Sequence, residues 1–353
     1  MTFTDFFGAS HCLVLDGGLG SYLETSGALQ CVRDSTSSTL WSAGLLLEHP
    51  ELLIDAHAQF LAAGADIVTS SSYQLTFEGI AGIGGADGRQ RAEELFREST
   101  AVARTACAGY PTARVAASLG CYGAHLADGS EYTACGYRGV GVSRLQAFHK
   151  DKLTVLLATN PDSVAFETVP CVDEAKAIAA LLTDREVLHR GGGSPVAWVS
   201  LACSSPDTLN GCEPLEDALR ALEDPDDGGS GGGAALSVAD VAVGVNCTDP
   251  RHVRAILQTM RDTCRRGRVL VAYPNLGETW EQQAPSSSGE AEVATWKPVA
   301  GTGVAEAEFV RMARQWHDGG DGATIIGGCC RVAPPLIAKL KSALTGESEF
   351  IIT

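Results

Sequence analysis

Residues 143–188 read SRLQAFHKDKLTVLLATNPDSVAFETVPCVDEAKAIAALLTDREVL. A helical pattern (143–157) is followed by a short apolar strand (Ser163–Phe166) and then by a second helical pattern (173–188). The strand has no polar alternation, as expected when both faces are buried. The same unit recurs on either side. Further strands are expected at Cys12–Leu15, Asp66–Thr69, Arg114–Ser118, Val196–Leu201, Val241–Val245, Val269–Ala272 and Ala323–Ile326, which makes eight in all. Helical patterns fall at 50–63, 89–109, 213–223, 250–265, 303–318 and 334–344. In the first of them Leu53, His57, Phe60 and Leu61 stand at three- and four-residue steps. Eight βα units over residues 1–353 predict one α/β domain, a (β/α)8 TIM barrel. An open doubly wound sheet is the runner-up. It would carry a glycine-rich phosphate turn after the first strand, but Asp16-Gly17-Gly18-Leu19-Gly20 lacks that spacing and opens on a carboxylate. Two segments read as insertions: 224–235, a Gly- and Asp-rich surface loop, and 281–297, a polar stretch after the seventh strand placed to act as a lid.

The chain has 353 residues, 45% of them hydrophobic and 20% charged, enough apolar material for a large core. Its formal charge of −17 excludes a basic stripe for nucleic acid and disfavours an anionic membrane surface; a small or cationic ligand suits it better. No apolar run approaches the ~20 residues of a spanning helix. The N-terminal MTFTDFFGASHC lacks a basic region followed by an apolar one, so the cytoplasm is expected. The twelve cysteines are then expected to be reduced, most of them, such as Cys12, Cys171 and Cys203, as small core residues.

In a barrel, function gathers at the C-terminal ends of the strands. The residues expected there include Asp16 and Gly17, Ser71 and Tyr73, Cys121 and Tyr122, Glu167, Asn246 and Cys247, Tyr273, and Cys329 and Cys330. Three cysteines from two strand ends point to zinc. Thiolates ligate it at ~2.3 Å, and a catalytic ion keeps three protein ligands and one open position. The eighth strand lies beside the first and two places from the sixth, so Cys247, Cys329 and Cys330 reach one ion. Glu167, at the end of a buried strand, requires a charged or hydrogen-bonded partner. Asp16 reads either as a site carboxylate or as a helix cap. Tyr73, Tyr122 and Trp280 read either as substrate contacts or as packing at the barrel mouth.

Taken together, LDGGLGSYLE (15–24), GADIVTSSSYQ (64–74), SLGCYGAHLADGSEY (118–132), FETVP (166–170), GVNCTDP (244–250), YPNLGETW (273–280) and GGCCRVAP (327–334) resemble the homocysteine S-methyltransferase family over nearly the whole chain. The resemblance implies a barrel holding one Zn2+ through Cys247, Cys329 and Cys330, with Asp16 and Glu167 on the amino group of L-homocysteine. Gly17, Ser71, Tyr73, Tyr122, Asn246 and Trp280 complete the expected substrate wall. YGAHLADGSEY and the chain length resemble the branch whose donor is S-methylmethionine, with S-adenosylmethionine as a second donor to consider. A selenocysteine methyltransferase shares every motif quoted, and a betaine-dependent relative is a further alternative. Position 121 is Cys where the pattern has Pro, and Ser70-Ser71-Ser72-Tyr73 stands where Asn or Thr is commoner, so donor preference stays open. The implied chemistry is in-line methyl transfer from a sulfonium to a metal-activated thiolate, with no protein general base. Candidate faces for the sulfonium are Tyr73, Phe77, Tyr122 and Trp280. Two other classes fit parts of the pattern: a zinc or thiol sensor on the same barrel, and a hydrolase or aldolase using Asp16 and Glu167 as acid and base. A monomer is expected, since no dimerisation arm follows the last helix.

Overall fold

A computed structural model of the chain describes residues 2–28, 44–84, 87–189, 196–224, 241–278, 280–283, 295–298, 301–317 and 322–346. Among the described residues, ten strands follow one another. They are β1 (Leu13–Val14), β2 (Ile67–Thr69), β3 (Arg114–Gly120), β4 (Ser163–Val169), β5 (Val196–Leu201), β6 (Val241–Asn246), β7 (Leu270–Tyr273), β8 (Trp280–Gln283), β9 (Thr295–Pro298) and β10 (Ile325–Ile326). Eight of these form one parallel sheet in the order β1-β10-β7-β6-β5-β4-β3-β2. A parallel bridge between Leu15 and Ile67 joins the two ends, so the sheet closes into the expected (β/α)8 barrel.

Side-chain alternation divides each strand between two cores. Leu13, Leu15, Ile67, Ala116, Ala165, Val196, Trp198, Ala242, Val271 and Ile325 form the barrel interior, where alanines from three strands make room for the Trp198 indole. The alternate residues, among them Val68, Val115, Val164, Phe166, Val199 and Val243, pack outward against the helices. One step further along the inward-facing positions, the residues become polar: Thr69, Ser118, Glu167, Ser200, Asn246 and Tyr273. Period two therefore stacks a polar layer on the apolar one at the C-terminal end of the barrel.

The opposite end is closed by an element with no counterpart among the expected helices, Phe3–Phe7, set by a capping box between Thr2 and Asp5. Phe3 and Phe6 join the interior core, and Arg114, at the start of β3, lies 5.2 Å over the Phe6 ring. The expected helix 173–188 is two helices, Val172–Thr183 and Arg185–His189. Asp184 divides them, its carboxylate accepting from the Glu186 amide at 2.9 Å. His57 lies on the buried face of Pro50–Ala62 as expected, its imidazole held neutral because burial pushes its pKa down to about 4.

The expected surface loop 224–235 lies outside the described residues beyond Asp224. The ends of 281–297 are not coil, because β8 and β9 pair antiparallel with Glu281 opposite Lys297. Residues 284–294 between them lie outside the described residues. No described helix is long and apolar enough to cross a membrane.

Candidate active site

A cavity open to solvent sits on the polar layer. Its wall includes Asp16, Gly17, Ser71, Tyr73, Glu167, Asn246, Cys247, Cys329 and Cys330, all expected at strand ends. Asp16 follows β1 and is 1% exposed. Its Oδ2 accepts from the Thr69 amide at 2.8 Å, and the Thr69 hydroxyl stands 3.2 Å from both carboxylate oxygens. It is not a helix cap, because the following helix Leu19–Thr25 is preceded by Gly18 with no side-chain cap. Burial, and secondarily the charge of Glu167, push its carboxyl well above the usual range, while the Thr69 amide opposes the shift.

Glu167 accepts from the Ser118 hydroxyl, and burial pushes its pKa up to about 7 against hydrogen bonds from Ser118 and Tyr273. Tyr273 is held in turn by Ser200 at 2.5 Å and by the Trp198 indole N–H at 3.1 Å. Glu167 thus meets the requirement for a partner through hydroxyls rather than a cation.

The backbone turns sharply beside it. Thr168 holds φ 63° and Cys247 φ 46°, left-handed values that cost about 1–3 kcal/mol each in non-glycine residues. Asn246 bridges the two turns: its Oδ1 accepts from the Thr168 amide and its Nδ2 donates to the Thr168 hydroxyl, both at 2.8 Å. The amide expected to contact substrate is therefore committed to backbone geometry, although Asn246 lines the cavity. Gly17 is dictated by close approach, since a Cβ there would stand 2.0 Å from the Val332 carbonyl oxygen.

The sulfurs of Cys247, Cys329 and Cys330 lie within 4.8 Å of one another. Cys329 and Cys330 are 4.0 Å apart at Sγ, close to the ~3.8 Å edge of a tetrahedron built on ~2.3 Å zinc–sulfur bonds. Cys247 and Cys329 are joined as a disulfide with Cα atoms 5.5 Å apart, which departs from the expectation of free thiols. Two thiols aimed at one point from strand ends two places apart in the barrel are within reach of each other as well as of a shared ion. The donor set fits zinc once that bond is reduced. Cys12, Cys171 and Cys203 are buried away from the cavity as expected.

Two expected aromatic contacts are elsewhere. The Tyr122 ring packs against Phe148 at 5.2 Å and Tyr137 at 5.6 Å and does not line the cavity. Phe77 packs against Phe96 at 5.4 Å. Both rings are drawn off by apolar clusters built from distant helices. The side chain of Trp280 lies outside the described residues. In place of Tyr122 the segment after β3 delivers Glu131 and Tyr132 to the wall. They lie within the SLGCYGAHLADGSEY motif, but more than ten residues past the strand, where the strand-end rule does not reach. Ser118 and Thr69 also line the wall, and the inward alternation of β2 and β3 is the signal for them; Thr168 departs from the alternation of β4 at its left-handed turn.

The homocysteine S-methyltransferase family pattern matches residues 13–344. Homocysteine S-methyltransferase 1 of Zea mays is 34% identical over 354 residues, covering 96% of each chain. The homocysteine methyltransferase MmuM of Escherichia coli, solved in a metallated form, is 31% identical at a TM-score of 0.68, with 95% of this chain and 96% of that one covered. An oxidised form of the same E. coli protein is 32% identical at a TM-score of 0.70, with the same coverage. On sequence, fold and cavity alike, this chain belongs to the homocysteine S-methyltransferase family.

Proposed function

We propose that the enzyme transfers a methyl group from S-methylmethionine to the thiol of L-homocysteine, in reduced protein holding one zinc ion through Cys247, Cys329 and Cys330. The observation that carries the reading is the convergence of three sulfurs within 4.8 Å at a cavity that also holds Asp16 and Glu167. Zinc bound to three thiolates favours the acceptor sulfur as thiolate and leaves it electron-rich. Asp16 and Glu167 take the acceptor ammonium. Ser71, whose buried hydroxyl has no partner among the described residues, donates to a substrate carboxylate oxygen. Among the described residues the wall carries no Lys or Arg, so substrate carboxylates fall to hydroxyls and backbone N–H groups. The acceptor sulfur forms a bond to the methyl carbon as the carbon–sulfonium bond breaks. That bond's electron pair stays on the departing sulfur, and the acceptor's thiol proton leaves to solvent. Two molecules of methionine result. Holding the two sulfurs in line supplies part of the rate enhancement. The enzyme works as a cytoplasmic monomer. S-Adenosylmethionine is the second donor to test.

The test is zinc content of freshly reduced protein together with methionine formation from homocysteine and S-methylmethionine. About one zinc per chain, with turnover abolished by a chelator and loss of both metal and turnover in Cys330→Ala, is the expected result. Stoichiometric zinc without turnover supports the thiol-sensor reading, which the Cys247–Cys329 disulfide favours. Folded, reduced protein without zinc removes the metal-based mechanism.

A further inference from the structure

The cavity wall holds three carboxylates, Asp16, Glu131 and Glu167, and among the described residues no Lys, Arg or His. Asp16 and Glu167 each have hydroxyl or amide donors. Glu131 differs, because its buried Oε2 has no hydrogen-bond partner among the described residues. A buried carboxylate oxygen left without a donor is costly unless a ligand supplies the missing charge. The backbone around it is tightly fixed. The Glu131 carbonyl accepts from Asn210 Nδ2 at 3.0 Å, and a Cβ at Gly123 would stand 2.5 Å from the Glu131 nitrogen. The side chain is thus presented to the cavity by a fixed backbone while its own oxygen stays unmatched.

Its neighbours specify the kind of cation. Glu131 shares the cavity wall with the Tyr73 and Tyr132 rings and with Cys330 of the sulfur cluster. An ammonium has three N–H donors and is best met by several acceptors converging, which is what Asp16, Thr69, Ser118 and Glu167 offer. A sulfonium has no N–H. It is satisfied by negative charge and aromatic faces without directed hydrogen bonds. Charge balance agrees, since homocysteine is a zwitterion with one ammonium, whereas S-methylmethionine brings an ammonium and a fixed sulfonium charge.

We propose that Glu131, with the Tyr73 and Tyr132 rings, forms the subsite for the sulfonium of the methyl donor and is the residue that selects a sulfonium amino acid. The inference rests on the transfer reaction given under Proposed function. The subsite lies beside Cys330, where a methyl group has to be presented to a sulfur bound at the cysteine cluster.

The test compares wild type, Glu131→Gln and Glu131→Asp as full-length, reduced, zinc-loaded protein. Calorimetric binding of S-methylmethionine is measured against methionine, which has the same ammonium and carboxylate but an uncharged sulfur. Glu131→Gln is expected to weaken S-methylmethionine binding by about tenfold or more and methionine binding by less than about twofold. The donor KM should rise in parallel and the homocysteine KM should hold within about twofold, with Glu131→Asp restoring part of the donor affinity. Equal loss for both probes overturns the sulfonium assignment, as does an unchanged S-methylmethionine affinity, a wild type that binds no S-methylmethionine, or a shift confined to the homocysteine KM. Glu131-dependent S-methylmethionine binding without methionine formation keeps this subsite and refutes the proposed reaction. Full turnover indifferent to Glu131 does the reverse.

Discussion

Glu167 shows how one residue's environment sets its pH behaviour. Burial raises its pKa to about 7, and two hydroxyls keep it from rising further. Only the ionised form attracts an ammonium. Acceptor affinity is therefore expected to fall as pH drops below about 7, the site protonating before the ligand loses its charge. The measurement is the homocysteine KM from pH 5.5 to 8.5. In Glu167→Gln the KM should rise by about tenfold or more at pH 8, and the limb contributed by this carboxyl should disappear. A wild-type limb that survives in Glu167→Gln belongs to another group. The thiol's own ionisation moves in the same direction, so the variant comparison rather than the wild-type slope decides the case.

At the scale of elements, the segment after β3 owes its course to a charge buried some fifty residues away. Glu174, fully buried on the helix Val172–Thr183, accepts from the Tyr122 amide at 2.7 Å, the Tyr137 hydroxyl at 2.7 Å and His149 Nε2 at 2.8 Å. Lys152 completes the support by donating to the Gly120 carbonyl at 2.9 Å, with its ammonium 3.7 Å over the Phe148 ring. Burial pulls the Lys152 pKa down to about 7, and the nearby Glu174 charge opposes that shift. Removing one member of such a network leaves the others buried and unmatched. Glu174→Ala is expected to cost about 3 kcal/mol in chemical denaturation. It should also raise the donor KM, because Glu131 and Tyr132 ride on the segment it holds. An unchanged donor KM in folded Glu174→Ala protein would separate this network from the subsite.

The whole molecule depends on closure at one seam. β1 is two residues long and meets β2 through a single bridge, Leu15 to Ile67. Asp66 reinforces that junction, its Oδ2 accepting from the Val14 amide at 2.8 Å while Lys341, on the last helix, donates to both carboxylate oxygens at 2.8 Å. One side chain thus ties together the first strand, the second strand and the C-terminal helix Pro334–Thr345. Asp66→Ala is expected to lower stability by about 2–3 kcal/mol and Asp66→Asn by about 1 kcal/mol, read from denaturation midpoints at constant slope. The pair is partly exposed, 23% for Lys341 and 19% for Asp66, so solvent screening discounts the ion pair and the amide contact carries the larger share of this effect.

The barrel was legible in the chain because its cause is local. Eight apolar strands with no polar face need both faces buried, one under the helices and the other in the barrel interior, and period two then fixes that Ala165 and Glu167 point inward while Phe166 points out. Position at the C-terminal ends of the strands, rather than alternation, placed Asp16, Glu167, Cys247, Cys329 and Cys330 on one end of the barrel without any knowledge of distances. What the tertiary structure decided depends on groups far apart in sequence. Tyr122 turns from the cavity because Phe148 and Tyr137 offer it an apolar cluster. Asn246 is spent on Thr168, 78 positions earlier, and Glu131 reaches the wall on a segment held by Glu174. The pairing of Cys247 with Cys329 is likewise a matter of two strand ends meeting in space. Strand periodicity assigns a residue to a face, but only packing between distant segments decides which side chains on that face keep a free polar atom for a ligand.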